Sequence, residues 1–210
     1  MNAEDIKRKL PGDDVLPIGM RGTSYEMVVQ LFEKGVLTGN SKKRRGGNFI
    51  YIWPVQENWE ANGLTPPIPF GQNDWDPVEW SQRFARGHVE RDYFEKRCGF
   101  PIGEYEEWRN CSDSTRRRVR CEMSQRGLTD SDIATLIRET KQRKGYILEF
   151  HPDLARDYKL RPDSWFGENH SIAFQINCPR GIGMKYVSKI IPIGKVDAQL
   201  MENYLRKRDF

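Results

Sequence analysis

Metal-ligating residues are scarce in this chain of 210 residues: four cysteines (Cys98, Cys111, Cys121 and Cys178) and three histidines (His88, His151 and His170). No two cysteines form a CxxC pair, and the histidines are scattered among them, so the ligand spacing of a structural zinc site is missing. No segment approaches the roughly 20 apolar residues that a membrane span needs. Met1 to Lys9 is polar and charged and holds no apolar signal core. Phosphate-loop, dinucleotide-binding, HExxH and GxSxG motifs are absent. These absences lead to the expectation of no metal, no membrane and free thiols in a reducing cytoplasm. A protein delivered into another cell by a dedicated apparatus, a toxin or effector, has the same signature.

Charge of one sign is also lacking. Lys and Arg number 34 against 30 Asp and Glu, a net charge of +4. Interspersed charges permit a nucleic-acid partner without requiring one. Hydrophobic residues make up 37% and charged residues 30%, which implies much solvated surface, while 11% aromatics argue against wholesale disorder.

What is present is concentrated in the first quarter. Leu16 to Met20 is a short apolar run. Thr23 and Glu26 have capping-box spacing, so a helix is expected to start there. Val28, Leu31 and Phe32, with Met27 alongside, give that helix an apolar face, and Gly35 is its natural C-terminal stop. Phe49 to Pro54 reads as a second strand. A polar Arg21-Gly22-Thr23-Ser24 turn thus joins a strand to a helix N-terminus, where backbone amides and the positive dipole end suit an anionic or amide-bearing ligand.

The pattern of Arg21-Gly22-Thr23-Ser24, a helix ending at Gly35 and the strand Tyr51-Ile52-Trp53 resembles the NAD-binding half of the ADP-ribosyltransferase superfamily, in its diphtheria-toxin and poly(ADP-ribose)-polymerase-like branch. Pro54 to Glu60 resembles the helix that follows the Tyr strand. Gly145–Phe150, Ser171–Ile176 and Lys185–Ile193 resemble the later strands. The resemblance implies an α+β fold and NAD as substrate. It implies that the Gly22 backbone pairs with the nicotinamide amide, that Arg21, Thr23 and Ser24 hold ribose or phosphate, and that Tyr51 stacks on nicotinamide. A protein or nucleic-acid acceptor would receive the ADP-ribose.

Each residue also has a plainer role. Arg21 could pair a neighbouring carboxylate, and Tyr51 could be an inward-facing strand aromatic. In this family a late-strand Glu stabilises the oxocarbenium-like ribose. Here that position falls at Met184 or Lys185, neither of them acidic. Glu168, in the loop Trp165–His170, is the nearest candidate for the acid. Glu149 is the other, but it alternates with Leu148 and Phe150 and points outward if Leu148 is core. The lack of a late Glu keeps open a binding module without catalysis.

The rest of the chain is read as organisation. Residues 1–15 form an N-terminal arm, and 16–210 form one domain. Gly39 to Gly47 is a basic, glycine-flanked loop, either a solvated turn or a lid that contacts phosphate. Pro66 to Pro69 and Gly71 mark a linker. Residues 75–145 are expected to be a helical insertion. Pro77 opens one helix, and Thr129 to Asp132 opens another with Ile133, Leu136 and Ile137 inward. The insertion is expected to supply target specificity and to be separable from ligand binding. Its Arg116-Arg117-Arg118-Val119-Arg120 run is either a solvated helix face or a nucleic-acid contact, with Tyr105 and Trp108 near enough in sequence to stack on bases. A final short helix is expected over Val196 to Tyr204.

Overall fold

In a computed structural model of the protein, residues 15–39, 49–66, 76–94, 97, 112–162 and 173–208 are described. In chain order they form β1 (Gly19–Thr23), α1 (Tyr25–Lys34), β2 (Val36–Leu37), β3 (Phe49–Pro54), α2 (Gln56–Ala61) and α3 (Pro77–Val89), the last running into a π turn (Glu90–Phe94). Then come α4 (Asp113–Gln125), α5 (Asp130–Gln142), β4 (Tyr146–Phe150), α6 (Asp153–Asp157), β5 (Arg161–Pro162), β6 (Phe174–Asn177) and β7 (Ile182–Gly183). A 3-10 turn (Met184–Tyr186), β8 (Val187–Pro192) and α7 (Lys195–Arg206) close the order. The architecture is α+β, as the sequence led us to expect.

Six strands form one antiparallel sheet in the order β5-β6-β3-β1-β4-β8. β2 and β7 pair separately. Directly opposed residues share a face. Ile50 and Ile52 of β3, Tyr146, Leu148 and Phe150 of β4, and Phe174 and Ile176 of β6 therefore form one buried face with Val28 and Leu31 of α1. Trp59 of α2 joins this core and donates its indole N–H to the Ile18 carbonyl at 2.8 Å, so its polar handle is satisfied while the ring is buried.

The other face is covered by α3. Asp76 caps α3 by accepting from the Val78 amide at 2.7 Å, and Pro77 occupies the first turn, where no N–H is needed. Trp53 packs against Trp80 and Phe84, with ring centroids 5.3 and 5.0 Å away. Gly22 admits the helix. A Cβ there would lie 1.9 Å from the Ser81 carbonyl oxygen and 2.2 Å from the Ala85 amide nitrogen. The described helices within 75–145 open at Pro77, Asp113 and Asp130, and they are not one unit. α3 is the second layer of the sheet. α4 and α5 have a small core of their own, formed by Val119, Met123, Ile133 and Leu136, with Ile137 and Tyr93 packed against it. Removing 75–145 as a block would therefore strip one face of the sheet.

The start of α1 is shifted from the expectation. Ser24, not Thr23, is the N-cap, and its hydroxyl accepts from the Met27 amide at 3.4 Å. Thr23 is held in β1 opposite Tyr146, so the sheet ladder takes the residue that the capping-box spacing assigned to the helix. Glu26 pairs with Arg143 instead of reaching back. The stop at Gly35 is as expected: φ is 68°, and its N–H bonds the Leu31 carbonyl at 2.9 Å. α5 carries the capping box between Thr129 and Asp132.

Candidate functional site

The strand ladder opens at one place. β1 pairs with β3 only at Gly19–Pro54 and Met20–Trp53, while it continues along β4 as far as Thr23–Tyr146. β3 stays paired with β6 from Phe49 to Ile52. From Arg21 onward, β1 and β3 have therefore separated. By alternation, Arg21 lies on the core face opposite Leu148, and Tyr51 shares the α3 face with Trp53. The Arg21 side chain crosses the gap and donates from Nη1 to the Tyr51 carbonyl at 3.2 Å. It reaches the backbone of Tyr51 rather than its half-buried ring.

Arg21 is 6% exposed, and its Nε has no partner among the described residues. Among the described residues no carboxylate stands within ion-pair distance of it. Burial, and then the nearby Arg91, lowers its pKa to about 10, so the guanidinium still carries its charge at neutral pH. Cys178 lies close by, and burial pushes its thiol up to about 11.

The π turn after α3 closes the end of the gap. The Ser24 hydroxyl, fully buried, donates to Asp92 Oδ2 at 2.5 Å. Arg91 Nε donates to Asp92 Oδ1 at 2.8 Å, and Arg91 Nη2 meets His88 Nδ1 at 2.7 Å. Burial first, and then Arg91 and Arg21, hold His88 well below its ordinary pKa. The ring is therefore neutral, and Nδ1 is the acceptor. Two guanidiniums, one carboxylate and one neutral imidazole thus gather around the α1 N-terminus. The arrangement carries excess positive charge and can hold an anion.

The residues predicted from sequence are brought together in part. Arg21 meets the backbone of Tyr51, while Ser24 meets Asp92 of the π turn. Gly22 and Thr23 are buried in β1, Gly22 beneath α3, and Thr23 Oγ1 has no partner. Glu168 lies outside the described residues, as do Asn40–Gly47 of the basic loop, Tyr105 and Trp108. Glu149 faces away from Leu148, as alternation predicts. It sits opposite Met20 and Lys189, on the side of the sheet away from Arg21's strand face. Met184 packs against the main core. Lys185 is exposed, with Nζ 3.6 Å from Asp157, which also accepts from the Tyr186 hydroxyl at 2.6 Å.

His88, Arg91 and Asp92 carry no local motif that marks them as site residues. They enter because α3 crosses Gly22 and its π turn then falls against Ser24. Among the described residues no helix is long and apolar enough to cross a membrane. No group of three or more His, Cys, Asp or Glu among them is placed to hold a metal ion. Comparison with protein-family models, with curated proteins and with solved structures found no match.

Proposed function

We propose that the protein binds NAD where β1 and β3 separate and transfers its ADP-ribose to a macromolecular acceptor, protein or nucleic acid. One observation carries the reading: a buried, partly unpartnered Arg21 at a strand separation, beside a helix N-terminus. Buried charge without an ionic partner is costly, and an anionic ligand supplies the missing partner. In this reading Arg21 and Ser24 hold ribose or phosphate, with Thr23 buried beside them. Gly22 offers its backbone to the nicotinamide amide, and Tyr51 offers its ring. The bond between nicotinamide and ribose C1′ breaks, nicotinamide leaves, and an acceptor nucleophile bonds to C1′ as it gives up its proton. Glu168 is the proposed acid that stabilises the positive charge on ribose.

A specific observation favours a second reading, an NAD- or ADP-ribosyl-binding module without transfer. Lys185 stands where the family pattern wants an acid, already paired with Asp157. A nucleic-acid partner would find Arg117, Arg118 and Arg120 exposed on α4. Calorimetry with NAD on wild type and Arg21→Met, followed by incubation with labelled NAD and a cell lysate, separates the readings. Binding lost in Arg21→Met together with labelled acceptor supports transfer. Binding without label selects the module. No binding of NAD at millimolar concentration overturns both. If transfer occurs, Glu168→Gln should cost on the order of a hundredfold or more in rate.

A further inference from the structure

We propose that Arg91, held in place by Asp92, is a second ligand-binding guanidinium. Together with Arg21 it makes the gap a site for a diphosphate group. The inference deepens the NAD reading by adding a residue from outside the Arg-Gly-Thr-Ser turn, but its test does not depend on NAD.

The geometry runs from the turn inward. Arg91 spends Nε on Asp92 and Nη2 on His88, which leaves Nη1 without a partner among the described residues. Its side chain is 15% exposed, whereas Arg21 is almost wholly enclosed, and both guanidiniums act on the same His88 ring. Asp92 is doubly engaged: one oxygen fixes Arg91 and the other receives the Ser24 hydroxyl. It therefore ties the orientation of Arg91 to the first residue of α1. Asp92 is a positioning residue in this scheme, and its charge balances only one of the two guanidiniums. His88 is neutral and balances neither. Glu90, the other acid of the turn, has partners of its own.

Two like charges brought together in a poorly solvated place, one of them with an unpartnered N–H, repel until an anion bridges them. Two guanidiniums near the N-terminus of α1 match two linked phosphates better than one: each phosphate can take a charge-assisted N–H, from Arg21 Nε and Arg91 Nη1, and the amides favour negative charge. The ligand class is a diphosphate, whether free or within a nucleotide.

The test is thermal unfolding and calorimetry of the full chain with inorganic pyrophosphate, orthophosphate, ADP and NAD. Wild type is expected to bind pyrophosphate and ADP more tightly than orthophosphate, with an affinity that falls as salt rises. Arg91→Gln is expected to lose at least tenfold in pyrophosphate affinity, whatever the loss of its Asp92 pair does to the ligand-free melting temperature. A merely structural Arg91 would lower the ligand-free melting temperature and leave the pyrophosphate affinity of the folded protein unchanged. Asp92→Asn should show a smaller loss. Arg91→Lys keeps the charge but not the planar donor set that Asp92 and His88 orient, so it should recover only part of the affinity. The inference is overturned if pyrophosphate does not bind wild type at millimolar concentration, or binds Arg91→Gln and Arg91→Lys as well as wild type. Pyrophosphate and ADP binding without NAD binding would sink the NAD reading and leave this inference standing. NAD binding to wild type, with pyrophosphate affinity indifferent to both Arg91 variants, would do the opposite.

Discussion

Gly22 and Ala85 are in backbone contact: a Cβ on Gly22 would meet the Ala85 amide nitrogen at 2.2 Å and its Cα at 2.9 Å. The contact seats α3 on β1 and so fixes where the π turn, with Arg91 and Asp92, meets Ser24.

Gly22→Ala is therefore expected to displace α3. Forcing a methyl group into a close-packed interface costs about 1–3 kcal/mol and occasionally more, and here the obstacle is backbone, which cannot rotate aside. Denaturant unfolding of Gly22→Ala should show a loss at or beyond the upper end of that range, together with weaker ligand binding. A variant as stable as wild type would show that α3 does not lie on β1 as described.

Arg143 is buried, its guanidinium 4.8 Å from the ring centre of Tyr93 and 5.7 Å from that of Tyr25. It pairs with Glu26 at 3.3 Å and stands 4.0 Å from the fully buried Asp197. Tyr25 follows Ser24, and Tyr93 follows Asp92, so this clamp grips both sides of the Ser24–Asp92 bond. Truncating one partner of a buried ion pair costs about 3–5 kcal/mol, and Arg143→Ala should fall in that range. Equilibrium unfolding with intact two-state behaviour is the check, and a loss near zero would contradict the clamp.

Asp197 also sets a pH dependence. Burial raises its pKa above 3.8, against the pull of backbone N–H groups and Arg143. The folded form thus holds its proton to higher pH than the unfolded chain does. Its contribution is fully present below the unfolded value and is lost as pH rises through the folded one. Compared with Asp197→Asn, wild type should lose relative stability as pH rises from near 3.8. Paired urea titrations across that interval test this, and a wild-type advantage that grows with pH would refute it.

The two described cysteines should differ in reactivity. Cys121 is exposed, while Cys178 is buried and its thiol is raised to about 11. Because the thiolate is the reactive species, iodoacetamide at mildly alkaline pH should label Cys121 and spare Cys178 until the protein unfolds. Peptide mapping reads the two sites separately. Rapid labelling of Cys178 in the native protein would mean that the gap beside Arg21 is open to solvent there.

Local chemistry made several elements legible from residues alone. Gly35 stops α1 because only a residue without a side chain enters the left-handed region at no cost. Pro77 and the Thr129–Asp132 pair start helices because each satisfies the first-turn amides, or needs none. Glu149 could be placed opposite Leu148 because a strand alternates, whatever it packs against. The N-terminus of α1 after Ser24 was legible as a candidate anion site for a similarly local reason: a helix N-terminus presents amides by its own geometry. Tertiary structure decided the rest. Thr23 went to the ladder with Tyr146, and the cap moved to Ser24, because a strand partner 123 residues away is invisible to local spacing. Arg91 and Asp92 come to lie against Ser24 only because α3 crosses Gly22, and a glycine in a strand does not reveal which backbone will lie against it.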